Sequence, residues 1–249
     1  MNMHQVYDKA KYHVEQWRVI GGLDFGIRRL FMIIRRRKFI PIPEVLRRGM
    51  VLKGLRCDFT EPHLIPFMQL PEGKSFIDVG ANIGTHSIPF AAKGVLVHAF
   101  EPSPTARRIL EEKAKEYNSI IIYPYALGSK EDSAQLFLHA CSSYDSLIDK
   151  ATYFTGRTAA VKIKTLDSFN IQNVGLIKID TEGYEEEVLL GSLETIKREK
   201  PRIILEVHEP LAKNGRRLTS ILKSLGYSCF KVWKPPRTGQ FHLIGDYKK

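Results

Sequence analysis

A chain of 249 residues with 43% hydrophobic and 26% charged side chains has an ordinary globular composition, enough for one good core and an extra segment but short for two full domains. Its formal charge of +11 attracts polyanions such as nucleic acid, an anionic surface or a phosphorylated substrate, yet establishes only non-specific attraction. Three scattered cysteines, Cys57, Cys141 and Cys229, form no CxxC pair, which excludes a zinc cage of thiolates alone and suggests reduced thiols in a cytoplasmic protein.

Residues 1–70 read as a helical, basic N-terminal segment. The first five residues have neither the basic end nor the apolar stretch of a secretory signal. Tyr7, Val14, Trp17 and Ile20 form an apolar stripe that Gly21 and Gly22 interrupt. A second, basic amphipathic stretch spans 25–38 and stops before Pro41 and Pro43. Its Leu30, Phe31, Ile33 and Ile34 suit docking on the main domain or on a second subunit, so a homodimer stays open. Basic residues on both sides keep the apolar run 31–34 far below bilayer-spanning length, so no transmembrane segment is expected. A membrane-surface helix is the less expected reading. The Arg and Lys excess over 28–56 leaves contact with RNA, an anionic substrate or a partner open.

From residue 71 onward the chain reads as one domain. Short apolar runs alternate with charged, helix-like segments, the pattern of βα units with buried parallel strands. Strands are expected over 75–79, 96–100, 120–125, 176–180 and 202–207. Helices are expected over 85–92, 104–117, 184–190 continuing to 200, and 216–225. Residues 227–232 and 240–245 look like an antiparallel strand pair. That combination predicts an α/β three-layer sandwich whose mixed, mostly parallel sheet has seven strands.

The strongest motif is Phe76-Ile77-Asp78-Val79-Gly80-Ala81-Asn82-Ile83-Gly84. An apolar strand delivers a carboxylate, then turns through Gly80 into a helix, in the place where doubly wound sheets bind ligands. A second strand delivers Glu101 23 residues beyond Asp78, suited to accept hydrogen bonds from both hydroxyls of a ribose. Dinucleotide enzymes place an acid similarly, but their G-x-G-x-x-G loop has a glycine where this chain has Asn82. The acid at 78 suits a ligand with an ammonium and a sulfonium, which describes S-adenosylmethionine. Ala126, in Tyr125-Ala126-Leu127-Gly128, offers a small surface for the adenine. The bland alternative makes Asp78 and Glu101 turn caps.

The fourth strand ends in Lys178-Ile179-Asp180-Thr181-Glu182-Gly183. Asp180 is expected to contact the methionine end or the methyl acceptor, and Glu182 to orient the acceptor; the competing reading is a helix-capping cluster. His208, after the fifth strand, is the histidine best placed to deprotonate a hydroxyl, with an exposed turn residue as the alternative. No His/Asp/Glu spacing makes a metal site.

The runs FIDVGANIGTHS, HAFEPSPTARRIL, YPYALGSKE, VKIKTLDSF, LIKIDTEGYEEEVLLGS and PRIILEVHEP resemble the FkbM family of S-adenosylmethionine-dependent methyltransferases over residues 75–210. The resemblance implies a class I methyltransferase (Rossmann-like) fold. It also implies that Asp78, Gly80, Asn82 and Gly84 surround the methionine portion, Glu101 holds the ribose and Asp180 lines the crevice. For the acceptor, which varies widely in the family, the resemblance implies an oxygen atom of a sugar, a polyketide-type product or a related small molecule, as in many members. One departure is Thr85-His86-Ser87, where the family often has an aromatic pair before the serine. Two other functions stay open: an RNA methyltransferase, favoured by the basic charge, and a non-catalytic protein that binds an adenosyl ligand.

Overall fold

A computed structural model describes residues 61–139, 145–148, 154–207, 212–233 and 241–248. The helices expected before residue 60, and His208, lie outside the described residues. The chain divides into two units after Pro66, and of the first only 61–66 are described, with one 3-10 turn at Pro62–Leu64. Among the described residues no helix is long and apolar enough to cross a membrane.

The unit Phe67–Lys249 is built on seven strands: β1 (Ser75–Val79), β2 (Val97–Phe100), β3 (Ile120–Tyr123), β7 (Val174–Ile179), β8 (Arg202–Val207), β9 (Tyr227–Trp233) and β10 (Phe241–Tyr247). Their order across the sheet is β3-β2-β1-β7-β8-β10-β9. The first five pair in parallel, and β10 runs antiparallel between β8 and β9, so the expected mixed sheet is the observed one. Strand order reverses between β1 and β7, which opens a crevice at the carboxyl ends of those two strands.

The two faces of the sheet differ in kind. Ile77, Val79, Ile177, Ile179, Ile203, Leu205 and Val207 pack with Val188, Leu189, Ile196, Leu218 and Leu222 into one apolar core. Those partners come from α3 (Glu185–Leu190), α4 (Leu193–Glu199) and α5 (Ala212–Ser224). On the other face α1 (Ser87–Ala91) sets Phe90 against Phe76, with ring centroids 4.7 Å apart. α2 (Pro104–Ala114) begins at Ser103, whose Oγ accepts from the Ala106 N–H, with Pro104 in the first turn.

Side chains alternate along a strand, so register decides what shares this second face. Asp78 lies opposite Lys178, Lys178 opposite Ile204, and Glu206 opposite His242. Asp78, Lys178, Glu206 and His242 therefore share one side of the sheet, and each is at most 3% exposed. Buried charge at that density is rare in a purely structural sheet.

Three expectations change. The third strand stops at Tyr123, and the chain enters a separate sheet of β4 (Ala126–Leu127), β5 (Asp132–His139) and β6 (Phe154–Lys164), ordered β4-β6-β5. No element was expected over 131–164. The helix expected over 184–190 with its continuation to 200 is two helices, and at the break Gly191 lies against the backbone of Gly128. A Cβ on Gly191 would stand 1.9 Å from the Gly128 carbonyl oxygen. The second piece takes its cap from a distance: Asp167 accepts from the N–H groups of Glu194 and Thr195, at 3.1 and 2.8 Å. The last helix starts four residues before the expected 216.

Candidate active site

The tip of β1 is pinned on both sides. Gly80 and Ala81 donate to the carbonyl of Phe100 at 3.0 and 3.1 Å, and Asp180 donates its N–H to the carbonyl of Val79 at 3.0 Å. Gly80 has φ +78, and a Cβ there would lie 1.9 Å from the Asp180 carbonyl oxygen. Only glycine fits this turn. Gly84 closes the loop against Leu110 and Ile88, 2.5 and 2.9 Å from where its Cβ would be. Asn82 adopts φ 51, which aims its backbone N–H at Glu101 Oε2, 2.6 Å away. Strained backbone of this kind collects at ligand sites.

Asp78 is 1% exposed. Its Oδ2 accepts from Ser87 Oγ at 2.6 Å, while its Oδ1 is buried with no hydrogen-bond partner among the described residues. Burial pushes the Asp78 carboxyl above its ordinary range, against the opposing pull of Lys178 and Ser87. Glu101, 6% exposed, accepts from Asn82 N–H on one oxygen and from Ser103 N–H on the other at 2.7 Å. Each oxygen retains a second lone pair for a ligand donor. Burial lifts Glu101 to about 7, although both backbone bonds oppose it.

Across the crevice, Asp180 accepts from Lys178 Nζ at 3.0 Å. Its carboxyl is also pushed up to about 7, first by burial, then by the neighbouring carboxyls of Glu206 and Glu182; Lys178 pulls the other way. The loop beyond it is held by Glu185. One oxygen of Glu185 accepts from Thr181 N–H at 3.1 Å, Thr181 Oγ1 at 3.2 Å and Gly183 N–H at 2.9 Å. The N-cap of α3 is Tyr184, with no side-chain cap bond, so Asp180 and Thr181 are not its caps. Glu182 adopts φ 56 in this loop.

The second sheet reaches into the same region. Asp145 accepts from Ser103 Oγ and from the His139 N–H, each at 2.7 Å. Ser146 Oγ donates to the Glu182 carbonyl at 3.1 Å. Two adjacent residues thus tie the turn after β2 to the loop after β7.

The structure therefore gathers Asp78, Gly80, Asn82, Gly84, Glu101, Asp180 and Glu182 around the tips of β1, β2 and β7. Ala126 is not brought among them, since it sits in β4 and packs with Leu136, Val161 and Ile163 in the core of the second sheet. His98 is enclosed on β2, with Nδ1 3.0 Å from Tyr123 OH. Lys178, Ser87 and Asp145 were not singled out beforehand, and Glu206 only as an acid close to His208 in sequence. For Lys178 the signal was available: a charge inside VGLIKI, a strand otherwise apolar.

The family model described as the methyltransferase FkbM domain matches residues 78–229, which run from the carboxylate of β1 to the middle of β9. The chain belongs to the FkbM methyltransferase family. Over 138 residues it is 28% identical to hexuronic acid methyltransferase AglP of Haloferax volcanii, a stretch covering 53% of this chain and 54% of that one. The chain thus spans about half the length of this curated relative. The crystal structure of methyltransferase FkbM from Methylobacillus flagellatus matches with a TM-score of 0.51 at 17% identity, over 69% of this chain and 43% of that one. This likeness shows the fold, a class I methyltransferase sandwich.

The raised carboxyls of this family member carry a consequence for stability. Asp78, Glu101 and Asp180 bind protons more tightly folded than at their ordinary values of 3.8, 4.5 and 3.8. Between roughly pH 4 and 7 the folded chain holds more protons than the unfolded one, so stability falls as pH rises through that window and levels off above it. The ligand-free chain is expected to melt about 5 °C higher near pH 5 than near pH 8, by calorimetric scan. A melting temperature that rises with pH would contradict the burial of these acids.

Proposed function

We propose that this chain binds S-adenosylmethionine at the tips of β1 and β2 and methylates an oxygen of a sugar or another small hydroxylated molecule. The observation that carries the reading is Asp78 Oδ1, a buried carboxylate oxygen beside a glycine turn and without a partner among the described residues. Such an atom is costly unless a donor reaches it, and a cationic donor suits it best. Asp78 and Asp180 share the buried ammonium of Lys178, while the charges of Glu101 and Glu206 reach Asp78 and Asp180 in turn. That excess favours a ligand carrying an ammonium and a sulfonium, and opposes the pyrophosphate of a dinucleotide.

In this reading Asp78 takes the ammonium of the methionine end, the Gly80–Gly84 turn gives the backbone close approach, and Glu101 accepts from the ribose hydroxyls. The bound cofactor supplies an already activated methyl group, so holding the acceptor in line provides much of the rate. Asp180 and Glu182 line the acceptor side. The relative named for hexuronic acid supports a sugar as acceptor. The acidic strand tips have the wrong sign for a phosphate backbone, which weighs against RNA. The division into a basic segment, 1–70, and a methyltransferase domain, 71–249, and a cytoplasmic setting belong to the same proposal.

Titration calorimetry with S-adenosylmethionine, S-adenosylhomocysteine and a nicotinamide dinucleotide tests it. The adenosyl ligands are expected to bind, and Glu101→Ala to weaken them about tenfold, the worth of one charged hydrogen bond. Binding of the dinucleotide in their place would replace methyl transfer with redox chemistry. Tight binding without turnover over a broad acceptor set would favour a non-catalytic adenosyl-ligand protein.

A further inference from the structure

The buried face of the sheet carries one acid that the cofactor reading leaves unused. Glu206 sits on β8, 3% exposed, with Ile, Leu and Val around it after the leading Arg202. Ile179 pairs with Leu205, so the next residues along the two parallel strands, Asp180 and Glu206, lie side by side. The Glu206 carboxyl beside it pushes the Asp180 carboxyl up. Two carboxylates have only acceptors, so such a pair is best accommodated with one proton between them. The Asp180 side chain is 25% exposed, and Lys178 Nζ holds its Oδ2. One member of the pair is thus enclosed, and the other reaches the open edge beside Gly80.

We propose that Asp180 and Glu206 form a carboxyl pair sharing one proton, that Asp180 takes the proton of the methyl acceptor, and that the acceptor atom is a neutral hydroxyl oxygen rather than a carboxylate oxygen. This rests on the methyl-transfer reading and names its acceptor chemistry. The acceptor's O–H bond breaks, its proton goes to the Asp180 carboxylate, and its electron pair forms the new O–CH3 bond. The pair of the broken S–CH3 bond stays on the sulfur of the donor. Glu206 acts through Asp180 and is a positioning residue.

The surroundings agree in sign. Asp180 is faced by Lys178 from β7, Glu182 from the following loop and Glu206 from β8, and Asp78 of β1 lies opposite Lys178. Behind Glu206 stands His242 of β10, its Nε2 3.7 Å from Glu206 Oε2. One ammonium against four acids leaves the acceptor side negative. A carboxylate acceptor would enter against that charge and needs no base. A hydroxyl pays no such repulsion and needs a base, and a group titrating near neutrality is the effective kind. Asp180, pushed up to about 7, is that group.

Carbon-13 NMR titration of the side-chain carboxyls in the full ligand-free chain tests the pair without any turnover, with the Asp180 signal assigned by its loss in Asp180→Asn. Asp180 is expected to titrate close to pH 7 in the wild type. Glu206→Gln, whose amide donates to the Asp180 carboxylate, should lower that midpoint by about one pH unit or more, and Glu206→Asp should restore part of it. An Asp180 midpoint in the ordinary carboxylate range, or one unmoved by Glu206→Gln, overturns the pair. Glucuronic acid, which offers hydroxyls and a carboxylate together, is the product probe with S-adenosylmethionine. A base-stable methyl ether, formed at a rate that rises through pH 7 and loses that rise in Glu206→Gln, is expected; a base-labile methyl ester overturns the hydroxyl assignment. Failure of S-adenosylmethionine to bind would sink the methyl-transfer reading instead, while the titration still reports on the pair.

Discussion

Asp78→Asn is expected to weaken S-adenosylmethionine about a hundredfold, or about 2.7 kcal/mol, in titration calorimetry. The substitution keeps shape and keeps an oxygen for Ser87 Oγ, which now lies 2.6 Å from Oδ2. What it removes is charge at an enclosed position, and breaking a buried hydrogen-bonded charge pair costs roughly 2–5 kcal/mol. The same change should leave the ligand-free chain equally stable or more stable at neutral pH. Burial already disfavours the Asp78 carboxylate, and an amide needs no proton to become neutral. Opposite signs for binding and stability separate a ligand carboxylate from a structural one. A Kd within threefold of wild type would remove Asp78 from the cofactor site.

That separation also explains which parts of the site were legible in the sequence. Glu101 and Asp180 directly follow apolar strands and Asp78 stands two residues before the Gly80 turn, so these carboxylates were visible without coordinates. Lys178 and Glu206 hold the same penultimate strand position as Asp78 but have no glycine turn directly behind them, and a period-two reading treats such a single charge as an interruption. Their meaning depends on register: only when β1, β7 and β8 are laid side by side do Asp78, Lys178, Asp180 and Glu206 become neighbours. The close approach of Gly191 to the carbonyl of Gly128 was hidden for a similar reason, since the two lie 63 residues apart in the chain.

The second sheet was less legible still. Along β5 only Leu136 and His139 are buried, so its hydrophobic alternation is faint. β6 begins beyond residues 149–153 and carries Arg157, Lys162 and Lys164 among its apolar members. Ala126 was expected at the ligand because the third strand was carried two residues too far. Once the chain leaves the main sheet at Tyr123, Ala126 belongs to another core. What replaces it in the crevice is Asp145 and Ser146, polar residues in a stretch with no strand-tip signature.

Lys178→Met carries the largest expected effect on folding. Lys178 is 1% exposed, its ammonium lies 3.0 Å from Asp180 Oδ2, and its charge also opposes the burial of Asp78. Methionine fills similar length without charge, which leaves the buried acids with no cation beside them. Removing one partner of a buried ion pair costs roughly 3–5 kcal/mol, and that loss is expected in urea unfolding of the ligand-free variant near pH 8. Its pH dependence identifies the cause. Without Lys178 the Asp78 and Asp180 carboxyls rise further above their ordinary range, so the folded variant takes up protons over a wider window than the wild type does. The loss should therefore shrink as pH falls toward 5, where the raised carboxyls take up protons more readily than at pH 8, whereas a packing defect would cost the same at both ends. Adding Asp180→Asn removes one of the stranded charges and should recover part of the stability at pH 8. In a double-mutant cycle the two substitutions should couple by about 1 kcal/mol or more. Strict additivity would mean that Lys178 answers the row as a whole and not Asp180 in particular.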